Sequence, residues 1–103
     1  MALVDARLTP DEVTHWSTRF ALLGDPTRLA LLVEMHAEPG LPVSALAARV
    51  GISENAASQS LRSLRDSGWV DADRAGRSVR YSLRPDAVVH TILHDVVGVR
   101  HQH

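Results

Sequence analysis

The sequence contains no cysteine and no lysine, and aromatic residues make up only 4% of it. Without cysteine there can be no disulfide framework, no thiolate metal centre and no cysteine nucleophile. No apolar run approaches the ~20 residues that a membrane-spanning helix needs. The first residues lack the charged, apolar and small-residue regions of a secretory leader, so the expected location is the cytoplasm, with no membrane partner. There is no phosphate-cradling glycine loop. His94-Asp95 and the scattered serines form no nucleophile–base pair at useful helical spacing. These absences argue against an enzyme and against an organic cofactor.

What is present suits one small globular domain over residues 1–103, with 45% hydrophobic residues and a modest core. The net charge of −1 conceals a split along the chain. Residues 49–84 carry seven arginines against four acids, a local charge of +3. Residues 1–48 carry three arginines against six acids, or −3, and residues 85–103 one arginine against two acids, or −1. Positive charge is thus gathered in one segment, as in a nucleic-acid binder. Arginine, which supplies all of it, suits phosphate and guanine contacts.

That segment contains Ser53–Gly68, which reads as a helix with Ser53 as N-cap and Gly68 as its stop. At about 100° per residue, Ala57, Leu61 and Leu64 form an apolar stripe that must face a core. Asn55, Gln59 and Arg62 fall on the other side, with Ser58 at its edge. Amide, guanidinium and hydroxyl groups are suited to base edges and phosphates, although such a triplet alone could be an ordinary solvated face. Its neighbours decide the reading. A short apolar helix over Ser44–Val50 and a turn at Gly51-Ile52 precede it, giving a helix-turn-helix over 44–66. Trp69–Leu83 follows as two short strands around a basic tip at Ala75-Gly76, a wing over 69–83. The predicted DNA contacts are Asn55, Ser58, Gln59 and Arg62 in the major groove, with Arg77 and Arg74 reaching from the wing.

The remaining chain frames this head. Residues 1–8 read as a loose arm. Thr9-Pro10-Asp11-Glu12 is a capping box with proline in the first turn, opening a helix whose face is Val13, Trp16, Phe20 and Leu23 and which Gly24 closes. Asp25-Pro26 opens a second helix that runs to Pro39-Gly40, and Leu41-Pro42-Val43 reads as a short extended piece. Arg84-Pro85 ends the wing, and residues 86–99 form an amphipathic helix. The expected fold is mainly α with a small β-wing (α+β), a winged helix-turn-helix in the order α-α-(β)-α-α-β-β-α. The first and last helices exceed a minimal winged helix, and their apolar faces predict a homodimer formed through them.

Leu23-Gly24-Asp25-Pro26-Thr27-Arg28-Leu29, Ala47, Ser58-Gln59-Ser60-Leu61, Leu64, Gly68-Trp69-Val70, Arg74-Ala75-Gly76-Arg77 and Tyr81-Ser82-Leu83 resemble the ArsR/SmtB family of metal-responsive repressors. The similarity spans most of residues 20–84. It implies a homodimeric winged helix that binds double-stranded DNA at an imperfect palindromic operator near its own promoter and is released by metal. Ser60, where many members carry histidine, and Trp69, where leucine is commoner, depart from the family pattern.

Four of the six histidines lie at 90, 94, 101 and 103. On a helical wheel Asp86, His90, His94 and His101 fall within about 80° of one another. Two imidazoles at i, i+4 can share a divalent ion, and nickel, cobalt or zinc suits a site without sulfur. One ArsR/SmtB subgroup places its ligands on this last helix, and the resemblance implies the same location here. His90 and His101, separated by ten residues, reproduce that subgroup's central spacing. Val88 stands where the subgroup has an acid, and His103 is the nearest residue to its fourth ligand. His15, on the first helix, is a further candidate, and His36 reads as structural. Two alternatives share the fold: a metal-independent regulator acting with an accessory protein or another effector, and a winged-helix module whose arginine face binds protein.

Overall fold

A computed structural model describes residues 7–101, and within the last helix the backbone alone at 87, 97 and 99–101. Five helices and one hairpin follow in chain order: α1 (Pro10–Leu23), α2 (Pro26–Ala37), α3 (Val43–Val50), α4 (Glu54–Asp66), β1 (Val70–Ala75), β2 (Ser78–Leu83) and α5 (Ala87–His101). No described helix is long and apolar enough to cross a membrane.

Local chemistry sets the helix boundaries. Thr9 Oγ1 accepts from the Glu12 N–H at 3.2 Å, and Glu12 Oε1 accepts from the Thr9 N–H at 2.8 Å, which completes the capping box of α1. Asp25 Oδ2 accepts from the Arg28 N–H at 3.0 Å at the start of α2. Ser53 Oγ accepts from the Ala56 N–H at 3.1 Å at the start of α4. α4 ends in a Schellman arrangement: the Trp69 N–H donates to the Leu64 carbonyl at 2.9 Å and the Gly68 N–H to the Arg65 carbonyl at 3.0 Å. Gly68 has φ +80°, a left-handed backbone in which a Cβ is strained.

One departure from expectation lies before α3. Leu41-Pro42-Val43 forms no strand; Val43 already opens α3, and Pro42, at φ −69° and ψ 161°, is its N-cap. Proline lacks the N–H a sheet partner would need, and its fixed φ is ready-made for a helix entry. The order is therefore α-α-α-α-β-β-α, and the sheet of the described residues is the β1–β2 hairpin.

The core gathers Leu31, Leu32 and Met35 of α2, Leu46 of α3, Leu61 and Leu64 of α4, and Val89 and Leu93 of α5. Trp69, Val70 and Tyr81 close it from the base of the wing. Ala57, Leu61 and Leu64 are completely buried, so the opposite face of α4 is turned outward. The antiparallel hairpin pairs Val70 with Leu83 and Ala75 with Ser78, which leaves Gly76 and Arg77 as the tip. Gly76 takes the first turn position at φ +64°. On α1 and α5, Val13, Phe20 and Val96 remain exposed at 53%, 45% and 48%.

Candidate nucleic-acid interface

The outward face of α4 carries Asn55, Gln59 and Arg62, all exposed, with Ser58 half-buried beside them. Ser58 and Arg62 open onto a groove of about 370 Å³ between the helix-turn-helix and the wing. Ser44 at the start of α3, and Ser78, Arg80 and Tyr81 on β2, form its other walls. Arg74 and Arg77 extend from the hairpin tip, both exposed. The residues predicted to touch DNA thus lie on two adjoining elements.

The structure also sorts the arginines of the basic segment. Arg49 is neutralised by Glu38 at 3.0 Å and Glu34 at 3.6 Å. Arg65 pairs with Asp66 at 3.1 Å. Arg80 Nη1 donates to the Gly40 carbonyl at 2.7 Å, which fastens the wing to the loop between α2 and α3. Arg62, Arg74 and Arg77 have no acid partner among the described residues. Arg84, likewise without an acid partner among the described residues, lies at the base of the wing beside Asp86. Three unpaired guanidinium groups, those of Arg62, Arg74 and Arg77, thus stand on the face of α4 and the wing tip, where an anionic ligand can meet them.

A further arginine, outside the predicted set, lies behind this surface. Arg19 of α1 is 7% exposed and reaches the C-terminal end of α4. Its Nε donates to the Ser67 carbonyl at 2.9 Å and its Nη2 to the Gly68 carbonyl at 3.0 Å. The sequence signal for it was an arginine between Trp16 and Phe20, on the apolar face of α1.

The histidine and carboxylate groups fall into two places. His15 and Asp86 border one cavity of about 470 Å³ beside Arg19 and Arg84. His90, His94 and Asp95 of α5 border another, of about 360 Å³, together with His36 at the end of α2. His36, read from the sequence as structural, lines the same cavity as this pair. Asp86 precedes the first turn of α5, where its Oδ1 accepts from the Val88 N–H at 2.8 Å. Among the described residues, no three His, Asp or Glu side chains converge closely enough to hold a metal ion. The side chain of His101 and all of His103 lie outside the described residues.

Comparison with known proteins gives a consistent picture. Residues 23–71 match the model of a helix-turn-helix domain family. The chain is 40% identical over 81 residues to the HTH-type transcriptional regulator NmtR of Mycobacterium tuberculosis, a match covering 79% of this chain and 67% of the relative. Among solved structures, it superposes on the AntR antimony-specific transcriptional repressor with a TM-score of 0.78 at 32% identity, covering 97% of this chain and 90% of that one. It also superposes on the homodimeric winged helix-turn-helix DNA-binding domain of Mb0332 from Mycobacterium bovis, a candidate ArsR-family regulator. There the TM-score is 0.76 at 25% identity, covering 100% and 93% of the two chains.

Proposed function

The chain belongs to the ArsR/SmtB family of winged helix-turn-helix transcriptional regulators, and on that premise we propose that it works as a cytoplasmic homodimer that binds a palindromic operator and answers to a divalent transition metal. The observation that carries the DNA part is the pairing pattern of the arginines. Acids and a carbonyl occupy Arg49, Arg65 and Arg80 and Arg84 sits at the base of the wing, whereas Arg62, Arg74 and Arg77 are left on the outward face of α4 and the wing tip. In this reading Asn55, Ser58, Gln59 and Arg62 meet the major groove, and Arg74 and Arg77 hold the backbone or minor groove.

The dimer is proposed to form through α1 and α5, whose exposed Val13, Phe20 and Val96 would be covered by a second copy. Mb0332, a structural neighbour, is homodimeric. A two-fold protein places two reading helices on two half-sites.

For metal, the donor chemistry fits a nitrogen- and oxygen-binding ion such as nickel, cobalt or zinc. His90 and His94 stand one turn apart and exposed on α5, with His36 and Asp95 bordering the same cavity. His101 and His103 follow them in sequence, while Asp86 and His15 border the other cavity. Exposed imidazoles rotate on a ps–ns timescale and can close on an ion from these positions. A bound ion would supply fixed positive charge and rigid cross-linking between elements. His90 and His94 would anchor it to α5, and coupling to DNA would follow from its different affinity for DNA-bound and free dimers.

The test is fluorescence anisotropy on the protein's own upstream DNA, with chelator and then with nickel, cobalt and zinc, at two salt concentrations. Tight, salt-sensitive binding changed tenfold or more by one metal, about 1.4 kcal/mol of coupling, supports the reading. Tight binding indifferent to every metal removes the metal part and moves sensing to a protein partner or another effector. Weak binding indifferent to salt refutes the DNA part.

A further inference from the structure

Arg19 is the one buried charged residue among the described residues, at 7% exposure. No carboxylate among the described residues pairs with it; the adjacent Asp66 is engaged by Arg65. Its charge is met instead by two backbone carbonyls and two aromatic faces. The guanidinium donates to the Ser67 and Gly68 carbonyls, and its Cζ lies 4.5 Å from the centroid of the Trp16 ring and 4.6 Å from that of Trp69. The Trp69 indole N–H donates back to the Arg19 carbonyl at 2.9 Å. Three hydrogen bonds and an aromatic sandwich therefore join α1 to the end of α4, across 48 to 50 residues of sequence.

The physics of the junction favours one geometry. The Ser67 and Gly68 carbonyls lie at the C-cap of α4 and just past it, on the side where the helix dipole is negative, and a planar guanidinium can bond two carbonyls at once while stacking on aromatic rings. Such a contact is directional, unlike the packing of Phe20 against Trp69 (ring centroids 5.9 Å apart) beside it. The same helix, α1, exposes Val13 and Phe20 toward the proposed dimer partner. One side chain thus links the helix that would set the two-fold axis to the helix that would read the bases.

We propose that Arg19 is a positioning residue for DNA binding: it fixes the disposition of α4 relative to α1, and with it the separation of half-sites that the dimer accepts. This rests on the reading of α4 as the DNA helix and α1 as a dimer helix.

The experiment measures binding of the full chain and of Arg19→Met to a palindrome, to versions with one or two base pairs added or removed between half-sites, and to a single half-site. The wild-type protein is expected to prefer one spacing by roughly tenfold or more, because simultaneous engagement multiplies affinity by about 10²–10⁴ and is lost when geometry forbids it. Arg19→Met is expected to lose that preference while single half-site affinity stays within about twofold, since the face of α4 itself is intact. Arg19→Lys and Trp16→Leu, milder changes to the same junction, are expected to flatten the profile partly, and they serve if Arg19→Met does not fold. A variant profile parallel to the wild type, with the same spacing optimum, would overturn the proposal and leave Arg19 a stabilising residue alone. A wild-type protein that binds DNA with no spacing preference would instead overturn the dimeric-operator reading beneath it.

Discussion

The division of the arginines into paired and free makes a quantitative prediction about salt. If Arg62, where α4 enters the major groove, meets a flanking phosphate as Arg74 and Arg77 do from the wing, a dimer makes six such contacts, and log K should fall against log salt with a slope of about −5.4, at 0.9 per phosphate. Between 50 and 200 mM salt the wild-type protein should then lose about 2 × 10³ in affinity. Arg77→Ala removes one contact per protomer, so the slope should flatten by about 1.8 and the loss over the same range shrink to about 150-fold. Arg49→Ala is the control. Its guanidinium is already held by Glu34 and Glu38, and exposed pairs of this kind contribute about 0–1 kcal/mol to stability, so the fold should survive. Anisotropy titrations at several salt concentrations, on one operator, give all three slopes. Equal flattening by Arg49→Ala and Arg77→Ala would refute the reasoning, because it would mean that the pairing in the free protein does not decide which arginines meet DNA.

Two glycine substitutions should have opposite signs. At Gly68 an added Cβ finds ordinary contact distances, 3.7 Å to Arg19 Nε and Nη2, so the cost is the left-handed backbone, roughly 1–2 kcal/mol less some unfolded-state compensation. Gly68→Ala should thus lower the Tm by several degrees, at about 4–8 °C per kcal/mol. Gly98 lies inside α5 with open space around its Cβ position, and Gly98→Ala should stabilise by about 0.5–1 kcal/mol; thermal melts at equal protein concentration decide both. Glu12 gives a pH signature. The Thr9 N–H, and then the Thr9 hydroxyl, hold its carboxyl below the usual 4.5. The capping box should contribute fully above that value and fade as pH falls through the lowered one. The Tm difference between wild type and Glu12→Ala should therefore be largest near neutrality and shrink in acid; a constant difference would exclude this linkage.

Much of the frame could be read from sequence because it is set within single turns. Thr9 with Glu12, Asp25 before Pro26, and Ser53 fix three helix starts with bonds spanning three residues. The stripe of Ala57, Leu61 and Leu64 oriented α4 in the same way. Failures began where partners are distant. Arg19 was not singled out, because its acceptors lie 48 and 49 residues away. The histidine stripe was counted along one helix, so it joined Asp86, which precedes that helix and caps it. His36, read as structural, comes from α2 and borders the same cavity as His90 and His94. Pro42 was placed in an extended piece because proline fits both a strand edge and a helix entry, and the packing of α3 chose the second.

The chain has two tryptophans, and both rings flank the Arg19 guanidinium, one half-buried and one enclosed. Intrinsic tryptophan emission is therefore a built-in gauge of how α1 is docked. A red shift on adding DNA or metal would mark water reaching that junction, and an unchanged spectrum would mark a rigid one, with no label introduced and no residue altered.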